Sequence, residues 1–112
     1  MRVTWEMRQH RLYIYLAGEL DHHAAHKAIG EISNAIDECL PMRCALDLAG
    51  LTFMDSSGIA VALGTYRRLK AYGGDLVLEN VPGYVKKLLV MAGVERIVPI
   101  IETDAVRDEC TV

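Results

Sequence analysis

The chain has 112 residues, of which 52% are hydrophobic and 24% charged, and its formal net charge is −3. This length suffices for one hydrophobic core and not for two, so we expect a single domain over residues 1–112. No basic run exceeds the pairs Arg67-Arg68 and Lys86-Lys87, and no apolar segment approaches transmembrane length, so neither a nucleic acid nor a membrane is an expected partner.

The first part of the chain predicts a hairpin followed by a helix. Residues 3–8 and 11–17 predict two strands about the polar pair Gln9-His10. In the second strand, one face carries Leu12, Ile14 and Leu16, and the other carries Tyr13, Tyr15 and Ala17. Asp21 is placed to cap an amphipathic helix over residues 22–39. Its predicted apolar stripe is Ala25, Ala28, Ile29, Ile32, Ala35, Ile36 and Cys39.

The remainder of the chain alternates strands with helices. Residues 43–48 are apolar on both faces apart from Asp47, which is typical of a central strand in a parallel sheet. A helix opens at Ser56 and stops at Gly73-Gly74. The further predicted elements are a strand over residues 75–79, a helix from Pro82 to Gly93, a strand over residues 96–101 with Pro99 favouring an edge position, and a weak terminal helix over residues 102–112.

This pattern predicts an α/β fold with a mixed, mostly parallel sheet of about five strands and about four helices. Strands that alternate with helices pair in parallel through right-handed crossovers, and only the first strand is expected to be antiparallel. Functional sites in such sheets gather at the carboxyl ends of the strands. Two predicted loops, over residues 18–22 and 51–56, emerge there side by side. We therefore expect Asp21 and Ser56 on one edge of the molecule.

The segment Met54-Asp55-Ser56-Ser57-Gly58 places a carboxylate and two hydroxyls where a strand passes into a helix. The first N–H groups of a helix lack intrahelical partners and carry partial positive charge. An Asp or Ser there commonly caps the helix, and a phosphate group there is well stabilised. Both an ordinary cap and a modifiable serine fit this segment.

Two enzymatic interpretations are weak. Ser56 lies in Asp-Ser-Ser-Gly rather than in a G-x-S-x-G elbow, and no histidine follows it, although a triad with His22 or His23 remains open. His22 and His26 have a spacing that can chelate zinc, but the glutamate that metalloproteases place after the first histidine is absent. Surface or capping histidines are the simpler interpretation, so we expect no metal site and no enzyme.

Other chemical signals are sparse. The three cysteines, Cys39, Cys44 and Cys110, form no CxxC pair, which favours reduced, partly buried thiols in a cytoplasmic protein. The glycines form no nucleotide-binding fingerprint, so no cofactor is expected. A compact domain with a serine at a helix N-terminus is better suited to being modified than to catalysis.

Three segments resemble the anti-anti-sigma factors of the STAS domain family. They are Gly18-Glu19-Leu20-Asp21-His22-His23, the stretch Leu51 to Ile59 (LTFMDSSGI), and Tyr66-Arg67 with Gly73-Gly74. The resemblance covers nearly the whole chain, and the first segment narrows it to the sporulation branch. One departure is Ile59-Ala60, where such proteins commonly have Leu-Gly.

The resemblance implies a phosphorylation switch. The unphosphorylated protein would bind an anti-sigma factor that is also a serine kinase and release a sporulation sigma factor; phosphorylation of Ser56 would end binding, and a serine phosphatase would reset it. The expected partner-binding residues are Asp21, Asp55, Ser56, Ser57, Gly58 and Ile59, with core packing and an exposed anchor both open for Ile59. The alternative is a STAS-like ligand-sensing or scaffold subunit of a larger signalling complex.

Overall fold

The computed structural model describes residues 1–101, and the predicted terminal helix over residues 102–112 lies outside them. The elements are β1 (Arg2–Arg8), β2 (Arg11–Leu20), α1 (His22–Cys39), β3 (Arg43–Met54), α2 (Ser57–Lys70), β4 (Asp75–Glu79), α3 (Gly83–Met91), a 3-10 helix (Val94–Arg96) and β5 (Ile100–Ile101). Residues 1–101 thus contain three α-helices. About four helices were predicted, and the fourth of these was the terminal helix over residues 102–112, which lie outside the described residues.

The five strands form one mixed sheet in the order β1-β2-β3-β4-β5. The β1 strand pairs with β2 in antiparallel orientation, and the remaining neighbours pair in parallel. This confirms the predicted mixed, mostly parallel sheet, with β3 at its centre. The β5 strand lies at an edge, as Pro99 indicated.

One face of the sheet forms the floor of the hydrophobic core. The alternation in β2 is confirmed, since Leu12, Ile14 and Leu16 are buried while Tyr13 and Tyr15 are only half-buried. The register pairs Leu12 with Cys44 and Ile14 with Leu46, so the buried side chains of neighbouring strands share this face. Residues from α1, α2 and α3 complete the same cluster, namely Ala28, Ile32, Ile36, Val61, Leu69, Val85 and Leu89. The tyrosine-bearing face lies on the other side of the sheet.

The buried stripes of α1 and α2 consist largely of small residues. They include Ala25, Ala28 and Ala35 on α1, and Gly58, Ala62 and Thr65 on α2. Ile29, which the periodicity placed in the α1 stripe, is 41% exposed. Larger aliphatic residues, Ile32 and Ile36 on α1 and Leu69 on α2, are buried beside these small ones.

The strands β2 and β3 are longer than predicted. They continue to Leu20 and Met54, into the predicted loops over residues 18–22 and 51–56. Pairing survives register shifts near Gly18, whose φ of 104° is readily adopted only by glycine. The extension is stabilised by burial, since Leu20 is 1% and Met54 4% exposed.

The last strand is shorter than predicted. Within the predicted span of residues 96–101, only Ile100–Ile101 form strand pairs, and Arg96 is the last residue of the 3-10 helix over Val94–Arg96. Pro99 has no N–H to donate, although its carbonyl accepts a hydrogen bond from Leu78 N at 2.9 Å. Pro82 is the residue before α3 rather than part of its first turn.

Candidate functional site

The ends of β2 and β3 bring two acidic residues together. Leu20 pairs with Met54, and Asp55 N donates a hydrogen bond to the Leu20 carbonyl at 3.3 Å. The residues that follow these strand ends, Asp21 and Asp55, therefore stand on neighbouring strands, whose typical separation is about 4.8 Å. We call this end of the sheet, with Asp21 and residues 55–59, the carboxyl edge. The predicted proximity of Asp21 and Ser56 is confirmed.

Each of the two carboxylates caps a helix. Asp21 has an extended backbone, and its Oδ1 accepts a hydrogen bond from Ala24 N at 2.9 Å, which confirms the predicted cap of α1. At α2, where an Asp or a Ser was expected to cap the helix, the capping side chain is that of Asp55. Asp55 Oδ1 accepts from Ser57 N at 2.8 Å, whereas Ser56 makes no side-chain capping bond. The reason is that Ser56 already has helical angles, φ −62° and ψ −16°, while capping through the side chain requires an extended backbone.

The Ser56 hydroxyl is consequently available to solvent. Ser56 is exposed, and its side chain forms no hydrogen bond within residues 1–101. Ser57 is half-buried, and its N–H is held by Asp55. The Ser56 hydroxyl lies at the start of α2, where the partial positive charge of the helix favours an added anion. Of the two serines, Ser56 is the more accessible to solvent.

Gly58 and Ile59 join this edge to the core. Gly58 is buried, and a Cβ there would lie 2.3 Å from Met54 Cγ and 3.2 Å from Leu20 Cδ2. The start of α2 therefore packs directly on the ends of both strands, and only glycine leaves room for this contact. Ile59 is half-buried against the core, so it supports the fold and also offers some apolar surface.

Phe53 and Glu19 also lie at this end of the sheet, although neither was predicted as a site residue. They pair in register one step before the strand ends, both are exposed, and the Phe53 side chain is 47% accessible. The signal in the sequence that could have identified Phe53 was its position inside the segment Leu51 to Ile59, which resembles the family. Aromatic residues are enriched at protein–protein interfaces, so Phe53 is a candidate contact residue.

The histidines lie close to the edge but do not form a metal centre. His22, His23, His26 and Lys27 line an open surface depression of about 420 Å³ on the first turns of α1. Within residues 1–101, no group of three His, Cys, Asp or Glu side chains is placed to hold a metal ion. Over the same residues, no hydrogen bond joins the Ser56 hydroxyl to a histidine.

The described thiols are not disposed for nucleophilic chemistry. Cys39 and Cys44 are free, and Cys44 is buried. Burial raises the pKa of the Cys44 thiol to about 12, so the thiolate is scarce at neutral pH. Cys110 lies outside the described residues. Over residues 1–101, no helix combines the length and apolar character needed to cross a bilayer.

Comparison with known proteins identifies the family. The model of the STAS domain matches residues 3–106. The chain belongs to the STAS domain family. A curated relative, the anti-sigma F factor antagonist of Paenibacillus polymyxa, is 37% identical over 106 residues, which cover 93% of this chain and 91% of the relative. The resemblance read from the three sequence segments is thereby confirmed.

Solved structures of two phosphorylation forms of one STAS protein match this fold. The unphosphorylated anti-sigma factor antagonist SpoIIAA superposes with a TM-score of 0.75 and 31% identity, over 99% of this chain and 98% of the other. The phosphorylated form of the Bacillus cell fate determinant SpoIIAA gives a TM-score of 0.68 and 30% identity, over 97% of this chain and 99% of the other.

Proposed function

We propose that this STAS protein is an anti-anti-sigma factor controlled by phosphorylation. In its unphosphorylated form it binds an anti-sigma factor that is also a serine kinase, and a sporulation sigma factor is released. Phosphorylation of Ser56 ends this binding. The observation that carries the proposal is the exposed Ser56 hydroxyl, free of capping bonds, at the start of a helix whose cap is supplied by Asp55.

The partner surface comprises Asp21, Asp55, Ser56, Ser57, Gly58 and Ile59. Asp21 and Asp55 offer carboxylates to a basic side chain of the kinase, and Ile59 contributes the exposed part of an apolar side chain. Gly58 is buried, so it acts by allowing the close packing that fixes the shape of the edge. The exposed ring of Phe53 extends the surface with an aromatic contact.

Electrostatics explains how a phosphate changes binding without unfolding the domain. A phosphoserine adds about 1.5 to 2 negative charges, which the start of α2 tolerates. The same charge comes next to the carboxylates of Asp21 and Asp55. A partner that has cations for these two carboxylates must then desolvate a further dianion. An uncompensated buried charge weakens an interface by several kcal/mol, on the order of 3–5.

The remaining assignments follow from this role. We infer a single STAS domain over residues 1–112 that works in the cytoplasm as a binding switch rather than as an enzyme. It needs no cofactor of its own, because ATP belongs to the kinase. A serine phosphatase removes the phosphate from Ser56 and restores binding.

The test is phosphorylation by a sporulation anti-sigma kinase. The protein, Ser56→Ala and Ser57→Ala are each incubated with the kinase and ATP, and the phosphate is mapped by mass spectrometry. We expect labelling of the unaltered chain and of Ser57→Ala, and none of Ser56→Ala. Phosphate found on Ser57 in the unaltered chain contradicts the assignment to Ser56.

A second measurement separates the switch from the scaffold alternative. Each variant is titrated into a preformed complex of sigma factor and kinase in the presence of nucleotide. Ser56→Ala should release the sigma factor and remain active, because it cannot be switched off. Ser56→Asp should fold normally and release it poorly. Failure of the unaltered chain to release the sigma factor contradicts the switch and favours a scaffold or ligand-sensing subunit.

A further inference from the structure

The opposite end of the sheet carries a row of arginines. Arg8 pairs in register with Arg11, and Arg11 pairs in register with Arg43, so three neighbouring strands each place an arginine on the same line. Register partners share a face, and this face is the one that carries Tyr13 rather than the buried core. We call Arg8, Arg11 and Arg43 the arginine row.

The arginine row does not stabilise the sheet, because its charges repel one another. Like charges directly opposite each other on neighbouring strands destabilise a sheet, and guanidinium groups cannot relieve the repulsion by losing a proton. The surroundings neutralise it only in part. Arg8 Nε lies 3.3 Å from Glu6 Oε2, and Arg11 Nη1 lies 3.7 Å from Glu79 Oε2.

Arg43 lacks such compensation. Its side chain is exposed and forms no ion pair or hydrogen bond within residues 1–101. Asp75 is its register partner on β4, but the Asp75 carboxylate is bound to Lys70 Nζ. Three guanidinium groups therefore face two carboxylates, which leaves a local excess of positive charge in a chain of net charge −3.

The arginines surround a cavity. A depression of about 240 Å³ is lined by Arg8, Gln9, Arg11, Tyr13 and Arg43. The Tyr13 ring orients two of the arginines, with the guanidinium carbon of Arg8 at 4.0 Å and that of Arg11 at 5.9 Å from the ring centroid. Guanidinium groups held against an aromatic ring lose little freedom when they bind a further partner.

We propose that this cavity is a binding site for a small oxyanion, with Arg43 as the residue that has its donors free. Guanidinium groups match the geometry of phosphate-type oxygens and bind them with paired, charge-assisted hydrogen bonds. The volume limits the ligand, because pockets that enclose drug-sized molecules measure roughly 300–1,000 Å³. Phosphate, sulfate or pyrophosphate fits this description. The site lies at the amino ends of β2 and β3, away from Ser56, and is independent of the proposed switch.

Binding can be measured by NMR titration of the full chain. Backbone amide shifts are recorded as phosphate, sulfate or pyrophosphate is added at constant ionic strength, with chloride as the reference salt. We expect saturable shifts centred on residues 8–13 and 43 for at least one anion. The rank order of the affinities for the three anions then identifies the preferred ligand. Shifts that grow linearly without saturation, or saturable shifts centred elsewhere, overturn the proposal.

Two variants make the test specific. Arg43→Gln should weaken the affinity at least tenfold, and Arg67→Gln is the matched control, because Arg67 is an exposed arginine on α2 outside the cavity. Circular dichroism establishes that both variants are folded, which the exposure of both side chains favours. Equal affinities for the two variants overturn the proposal. Weaker anion binding by Arg43→Gln and by Arg8→Gln, with unchanged binding by Arg67→Gln, supports the proposal.

Discussion

The two ends of the sheet differ in how their charges relate to the fold. At the carboxyl edge, Asp21 and Asp55 each accept a hydrogen bond from the helix that follows. At the other end, the arginine row places like charges opposite one another across three strands. The ends lie on the order of 30 Å apart, since a strand rises about 3.3 Å per residue and β3 has 12 residues.

This difference separates two kinds of site. At the carboxyl edge, the groups proposed to meet a partner also stabilise the helices, so changing them alters stability and binding together. At the arginine row, Arg43 forms no ion pair or hydrogen bond within residues 1–101, so changing it should alter ligand binding while stability holds or improves. Substitutions at the two ends should therefore have effects of opposite sign on the free energy of unfolding.

The largest effect on stability is expected at Gly58. Ala at this position overpacks against Met54 and Leu20, which typically costs about 1–3 kcal/mol. Gly64 lies in the same helix with open space around it, so Gly64→Ala should instead stabilise by about 0.5–1 kcal/mol. The difference in stability between the two variants is measured from their urea unfolding midpoints, provided that their m-values are equal. Equal midpoints contradict the close packing of α2 on the strand ends.

Ile59→Ala should have the next largest effect. Because Ile59 is half-buried, we expect a loss of about 1–2 kcal/mol, less than full burial gives, together with weaker binding to the anti-sigma kinase. Ile29→Ala is the control, since Ile29 is 41% exposed and lies two turns along α1. The affinity of each variant for the kinase is measured by calorimetry and corrected for the folded fraction. An equal loss of affinity in Ile59→Ala and Ile29→Ala contradicts a contact made by Ile59.

Asp21 allows capping and binding to be separated. Asp21→Ala removes the bond to Ala24 N and should cost about 1 kcal/mol, with weaker binding to the kinase. Asp21→Ser keeps a capping oxygen but loses the charge, so it should retain the stability and share the binding defect. Thermal unfolding and kinase affinity are measured on both. Full affinity in Asp21→Ser removes the carboxylate from the interface.

The smallest effect, and the one of opposite sign, is expected at Arg43. Without added oxyanion, Arg43→Gln should raise the free energy of unfolding by about 0.2–1 kcal/mol, because one like-charge pair is removed. The gain should shrink as sodium chloride is raised, since exposed charges are screened. Urea unfolding at low and high salt measures this. A loss of stability at low salt shows that the arginine row supports the fold.

Periodicity in the sequence predicted the central strands well, because the core face of each is buried along its length. Alternation in β2 predicted that Leu12, Ile14 and Leu16 share one face, which the structure buries, and the continuous apolar run predicted the central position of β3. Periodicity was less informative where helices meet. Ile29 fitted the α1 stripe by spacing, but it is 41% exposed, while Ile32 and Ile36 on the same helix are buried.

Local sequence determined that a carboxylate and two hydroxyls stand where a strand passes into a helix, because strand and helix patterns meet at that point. It also supplied the segments by which the STAS family can be recognised. Only the tertiary structure decided the division of labour between Asp55 and Ser56, since that depends on backbone angles set by the packing of α2 on Leu20 and Met54. The arginine row likewise depended on strand order and register, which bring together residues separated by more than thirty positions in the chain.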